Sequence, residues 1–313
     1  MTMKKVILGA LLAITLAGCS SDDNNTLVNL ADLRRPISVE VSENPIQNTG
    51  TEARDNTRVE ATTTGSFDHF KMNYQAEVDG LIKYSVKKFN TDWLFTGAET
   101  ASWPTTTNDP VTFYAFSYPG EETSNDVANP IYYFNSGNHY IHFTTDENAS
   151  SMHDLLVAKE TTSYNAHTPN GKVYLTFDHA CAAVDFSFKK TAGVSGHSVI
   201  LKKVVLKNMY KTGDYFFNDT PNWQNVSSTT DYTLYDGGQT LTTDSWTLPN
   251  NSFFIIPQTL TKIELTLMVD GELEANKKIG VINFTKTIES GNSYPIEIAV
   301  GTSLKTEEGN NIF

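Results

Sequence analysis

Residues 172–190 read KVYLTFDHACAAVDFSFKK. Val173, Leu175, Phe177, His179 and Cys181 fall on odd positions, with Thr176 and Asp178 between them. Near Ala182-Ala183 the phase slips, and Val184, Phe186 and Phe188 continue on even positions. A period of two marks a half-buried β-strand, and the slip predicts a bulge in one long strand. The same rhythm spreads outward in both directions. Upstream, Phe70, Met72, Tyr74 and Ala76 alternate with polar residues, Asp79-Gly80 offers a hairpin turn, and Ile82, Tyr84 and Val86 return. Val111 to Tyr118 is apolar on both faces, as in a central strand. Ile131 to Thr145 supplies one or two more strands, and Asp154 to Ala158 is short and hydrophobic. Downstream, Leu201 to Leu206, Phe253 to Ile256, and Ile263, Leu265, Leu267 and Val269 before Asp270-Gly271 read as strands. Val281 to Phe284 and the series Tyr294, Ile296, Ile298, Val300 complete the set. Internal repeats and long amphipathic helical patterns are missing, so the expected class is all-β, built of β-sandwiches. The turn-rich segment 163–171, with Pro169, Asn170 and Gly171, is the expected division: one sandwich over 37–165, the other over 166–313.

The N-terminus carries a different signal. Lys4 and Lys5 precede an apolar run, Val6 to Leu16, too short to span a bilayer as a stable helix. Residues 1–18 therefore read as a secretory signal. Leu16-Ala17-Gly18-Cys19 looks like a bacterial lipobox, which places cleavage before Cys19 and acyl chains on its thiol and amine. Several chains on one residue anchor a protein durably. Residues 19–36 then form a tether that begins with the polar run Ser20 to Asn25. Ser20 stands where inner-membrane retention would favour Asp, so that mark is lacking, and Ser21-Asp22-Asp23 resembles a surface-export signal.

Acidic residues outnumber basic ones, 36 to 23, for a formal charge of −13; losing Lys4 and Lys5 with the signal makes it −15. Such a chain is a poor partner for nucleic acid or an anionic membrane surface. Of two cysteines, Cys19 is committed to lipid, so Cys181 has no partner for an intramolecular disulfide and reads as an inert buried residue. The four arginines are Arg34, Arg35, Arg54 and Arg58; every later basic residue is Lys. An Arg-specific protease would thus cut near the tether and nowhere in the body. Between the two pairs, Ile37, Val39 and Val41 alternate as a short half-buried strand, and cleavage after Arg54 or Arg58 would release it and open a groove.

Catalytic chemistry finds no home in the chain. Gly-x-Ser-x-Gly and His-Glu-x-x-His are lacking. His139 and His142 are three apart and face opposite sides of a strand, as do the neighbours His153-Asp154 and Asp178-His179. No metal or cofactor is expected. Glu121-Glu122 and Glu307-Glu308 read as solvated charge rather than a glycosidase pair. Trp93, Trp103, Trp223 and Trp246 sit in loop-like contexts: exposed they could stack on sugar rings, buried they fill a core. The exposed alternative describes a surface glycan-binding lipoprotein.

With these residues in view, the chain resembles the fimbrillin (Mfa-like) family of type V pilins. The carrying segments are Asn56-Thr57-Arg58, Val111 to Phe116, Asp154 to Ala158, Val173 to His179 with its Ala-rich continuation, Ile256 to Thr259, and Ser290 to Tyr294. The resemblance implies two transthyretin-like β-sandwich domains in tandem and an outer-membrane lipoprotein precursor. It implies Arg-specific removal of the first strand, here after Arg58 or Arg54, and filling of the emptied groove by a strand from another pilin subunit. Ile37, Val39 and Val41 would be the inward residues of the displaced strand. A stalk pilin should also donate a C-terminal strand, but residues 301–313 lack alternating apolar residues. A tip, accessory or anchor subunit of a surface pilus is the expected role, with a host or bacterial surface receptor as partner.

Overall fold

The computed structural model describes residues 35–49, 68–76, 80–96, 101–103, 108–118, 130–135, 137–147, 152–166, 171–218, 220, 222–249 and 252–313. Among these the regular structure is almost wholly β. In chain order the strands are β1 (Ser38–Glu43), β2 (Gln47–Asn48), β3 (His69–Ala76), β4 (Gly80–Phe89), β5 (Asp92–Thr96), β6 (Val111–Ser117), β7 (Ile131–Asn135), β8 (Asn138–Thr144) and β9 (Leu156–Thr162). There follow β10 (Lys172–His179), β11 (Ala182–Lys190), β12 (Val199–Phe216), β13 (Asn222–Thr240), β14 (Trp246–Thr247), β15 (Phe253–Ile255), β16 (Thr259–Val269), β17 (Lys277–Thr287) and β18 (Asn292–Val300). The hairpin turn expected at Asp79-Gly80 falls partly outside the described residues, although β3 and β4 pair antiparallel on either side of it.

Seven strands close a barrel in the order β1-β10-β9-β6-β3-β4-β5. Its interior follows directly from the alternation: Phe70, Met72 and Tyr74 from β3, Phe113 and Ala115 from β6, and Val173, Leu175 and Phe177 from β10 pack together. Phe70 sits 5.2 Å from both the Phe177 and Trp93 rings, in tilted and edge geometries that aromatic pairs favour. The rest of the chain builds two sheets. One runs β14-β11-β18-β2 with β15 on β11; the other runs β17-β16-β12-β8-β7 with β13 on β12. Inward residues of β11, β12, β16 and β18 share one core between them.

A third cluster joins the barrel to these sheets. β6 buries both faces, as its continuous apolar run predicts. Phe113 and Ala115 point into the barrel, while Tyr114 and Phe116 pack outward with Ile141 and Phe143 of β8, Tyr215 of β12 and Phe254 of β15.

One expectation from the sequence changes here. The phase slip at Ala182-Ala183 is no bulge: β10 ends at His179, β11 begins at Ala182, and the two strands lie in different sheets. Ala180 and Cys181 turn the chain, with Ala180 N–H donating to Leu155 O at 2.8 Å and Cys181 N–H to the Asp154 carboxylate at 3.2 Å. Segment 163–171 lies between β9 and β10, which pair antiparallel in the barrel, and the chain passes from the barrel to the next sheet near Ala180. The hairpin β7–β8, although from the first half, pairs through β8 with β12 of the second.

Candidate functional site

The site with functional geometry is the seat of β1. Its inward residues recur at every second position: Ile37 and Val39 are 3% and 7% exposed, and Val41 packs half-buried on the same core. Fully burying an aliphatic side chain of this size is worth roughly 1.5–3 kcal/mol. β1 runs parallel to β10 in unbroken register from Ser38↔Lys172 to Glu43↔Phe177. On its other side it meets β5 at one position, Val39↔Trp93. The outer face is matched too: Ser42 and Thr176 hydroxyls lie 3.0 Å apart, Lys172 reaches Glu40 at 2.9 Å, and Asn44 Nδ2 donates to Asp178 at 2.7 Å.

The flanks of β1 are held by main chain. Ile37 N–H donates to Ala101 O and Trp103 N–H to Arg35 O, both at 2.8 Å. The Trp103 indole N–H donates to Gly171 O at 2.8 Å, so this residue ties the entry of β1 to the entry of β10. Gly171 adopts φ +59, and a Cβ there would lie 2.6 Å from Tyr164. Past β1, Asn44 N–H donates to Phe177 O at 2.9 Å. The chain then crosses to the neighbouring sheet, where β2 lies parallel to β18, Gln47 N–H donates to Gly291 O at 2.8 Å, and Thr49 N–H to Ser293 O at 3.1 Å. One segment therefore supplies a closing strand to the barrel and an edge strand to the next sheet.

At the end of β1 three ionisable side chains meet in the dark. His179 Nδ1 is hydrogen-bonded to the Asp154 carboxylate, and its Nε2 lies 3.2 Å from Glu43 Oε1. Their side chains are 1%, 0% and 6% exposed respectively. Burial by itself would hold His179 below its ordinary value, but contacts with Asp154 and Glu43 outweigh it and raise the pKa to about 9. Full burial pushes Asp154 up, against the pull of His179 and the N–H groups of Cys181 and Leu155. Sequence reasoning placed His153-Asp154 and Asp178-His179 as neighbours facing apart. It missed that Asp154, His179 and Glu43 converge from three elements. The available signal was phase: His179 continues the inward series Val173, Leu175, Phe177, and Glu43 continues Ile37, Val39, Val41.

The tryptophans divide among the cores. Trp93 and Trp103 line the seat itself, Trp93 opposite Val39 and Trp103 5% exposed. The Trp223 indole donates to Ala180 O at 2.7 Å, and Trp246 packs on Tyr235 at 5.2 Å. His139 stacks on Tyr114 at 3.8 Å, and burial, aided by Lys159, lowers its pKa to about 4. His142 turns instead to Asp214 at 2.7 Å. Cys181 is buried, and burial together with the Asp154 charge pushes its thiol well up. Among the described residues no group of three or more His, Cys, Asp or Glu could hold a metal ion. Cys19, Arg34, Arg54, Arg58, Asn56 and Thr57 lie outside the described residues, as do Glu121 and Glu122. Arg35 is described; its guanidinium stacks over the Tyr164 ring at 4.6 Å.

Fold and seat together define a class: an all-β protein of several sheets whose leading strand is fastened to a distant partner rather than to its neighbours in sequence. The chain belongs to the fimbrillin-like family, which matches residues 46–312. Residues 3–20 match a prokaryotic membrane lipoprotein lipid attachment site. Among solved structures, the fold is similar to that of a protein from Bacteroides ovatus provisionally assigned to cell adhesion. The TM-score is 0.52 at 17% identity, covering 86% of this chain and 93% of that one. A second protein with the same provisional assignment, from Parabacteroides distasonis, gives a TM-score of 0.50 at 9% identity, covering 88% and 91%. No curated protein matches the chain.

Proposed function

We propose that the protein is a structural and adhesive subunit of a cell-surface pilus, not an enzyme. It is exported as a lipoprotein through Cys19 to the outer membrane and displayed outward. An Arg-specific protease cuts after Arg58 or Arg54, β1 leaves, and a strand from another pilin subunit takes its place. The observation that supports this most is the seat. A segment with alternating apolar residues completes a barrel through one parallel ladder and a single contact on the other side. Its partner β10 is more than a hundred residues away in sequence, so a strand from a separate molecule can serve as well as the protein's own. The barrel and the paired sheets would then correspond to the two tandem transthyretin-like domains of such pilins, divided near Ala180.

Within a pilus, a tip or accessory position fits better than the stalk; an anchor would keep the lipid on Cys19 and leave Arg58 uncut. Leu304 and Ile312 are 5% and 6% exposed against the second core, and Val281 N–H donates to Lys305 O at 2.8 Å. Residues 301–313 are engaged in their own fold rather than held out as a donor arm. Incubating the folded precursor with an Arg-specific protease tests the processing step. One stable fragment starting at Val59 or Asp55 is expected. Fragmentation throughout, or resistance of the folded protein, would overturn the reading.

A further inference from the structure

The seat has a chemical requirement beyond fitting a strand. If β1 departs, Glu43 departs with it, while Asp154 and His179 stay. Asp154 is fixed by the Cys181 N–H and by His179 Nδ1, so one carboxylate of the body is already matched to the imidazolium. The second ring nitrogen then faces the vacated space. Once an incoming strand covers it, a charged donor with no acceptor is costly, more so than a neutral one. The protein's own leader satisfies it only in part: Glu43 Oε1 sits 3.2 Å from Nε2, off the hydrogen-bonding direction, and Oε2 is buried without a hydrogen-bond partner. The other polar contacts of β1, Glu40 with Lys172 and Ser42 with Thr176, lie on the exposed outer face and make no comparable demand.

Resting on the strand-exchange reading above, we propose that the Asp154–His179 pair selects which strand enters the seat. It admits a segment of another chain that runs parallel to β10 and carries a carboxylate two residues after its last inward apolar side chain. In this protein's own leader the pattern is Ile37, Val39, Val41, Glu43. Apolar positions supply affinity to any suitable strand, and the acidic position supplies discrimination, since truncating one partner of a buried charge pair costs several kcal/mol. Subunits whose donor segment lacks the acid would leave Nε2 of His179 without its carboxylate and be disfavoured.

The experiment uses the full-length chain, nicked with an Arg-specific protease and left with its leader in place. Three peptides spanning residues 36–44 compete in equal amounts for exchange into the seat: the native sequence, Glu43→Gln and Glu40→Gln. Uptake is read by mass spectrometry of the complex. The native peptide should be taken up roughly a hundredfold over Glu43→Gln, and equally with Glu40→Gln. A His179→Gln chain should exchange all three without preference. Equal uptake of the native and Glu43→Gln peptides would overturn the selection while leaving strand exchange standing. Uptake of none would overturn exchange itself, and the selection with it.

Discussion

Alkaline pH should loosen the hold on the leading strand. In the folded protein His179 titrates at about 9, against an ordinary value of 6.5. A folded value raised above the unfolded one gives stabilisation that is complete below about pH 6.5 and lost as pH climbs through about 9. The gap of roughly 2.5 units, at about 1.36 kcal/mol each, corresponds to about 3 kcal/mol. Because the side chain is 1% exposed, solvent screening removes little of it. The charged groups facing the ring are Asp154 and Glu43; the neighbouring Cys181 thiol, pushed well up by burial, stays protonated over this range. Urea unfolding at pH 6 and pH 10, followed by tryptophan fluorescence, reports on it directly, since Trp93 and Trp103 border the seat. Wild-type protein should lose about 3 kcal/mol more across that interval than His179→Gln. Superimposable pH profiles for the two proteins would refute the argument.

Three further outcomes follow from the packing. Val39→Asp places a carboxylate inside the barrel wall and should cost about 3 kcal/mol or more, read as a lowered urea midpoint. Gly280→Val would drive its Cβ to 2.8 Å from Leu304 and Ile312; residues 301–313 should lift off β17, at a cost of about 1–3 kcal/mol, and become sensitive to carboxypeptidase. In a Cys19→Ser chain, Cys181 should resist a thiol reagent in buffer and react fully in denaturant, because it is 1% exposed.

Much of the architecture was legible because period-two alternation is a local signal. Phe70, Met72, Tyr74 and the series Ile263, Leu265, Leu267 each announce which face is buried. The two-faced run Val111 to Tyr118 announced a strand packed on both sides, and β6 is one. β13 escaped notice because it pairs with β12 alone and its sequence, from Asn222 to Thr240, is dominated by polar residues, with Tyr232 and Leu234 as its fully buried anchors. What a single chain's rhythm does not carry is pairing. The alternation of Val173 to Phe177 and of Ile37 to Val41 marks two strands, yet nothing local says that they lie side by side. For the same reason the meeting of Asp154, His179 and Glu43 was invisible: each was readable as inward or outward, but not as a neighbour of the others. The tryptophans were ambiguous in sequence because loop-like surroundings are compatible with either fate; for Trp103 the indole bond to Gly171 O decides it.

The hairpin β7–β8 has a mechanical consequence. It is contributed from between two barrel strands, β6 and β9, but is zipped to β12 from Tyr140↔Phe216 to Thr144↔Thr212. Tension applied along the molecule cannot part the barrel from the paired sheets like beads on a string. It must first shear that ladder and pull Ile141 and Phe143 from their shared apolar cluster. Load that reaches the barrel is therefore passed to the paired sheets through a stitched ladder and a shared apolar cluster, not through a single crossing of the chain.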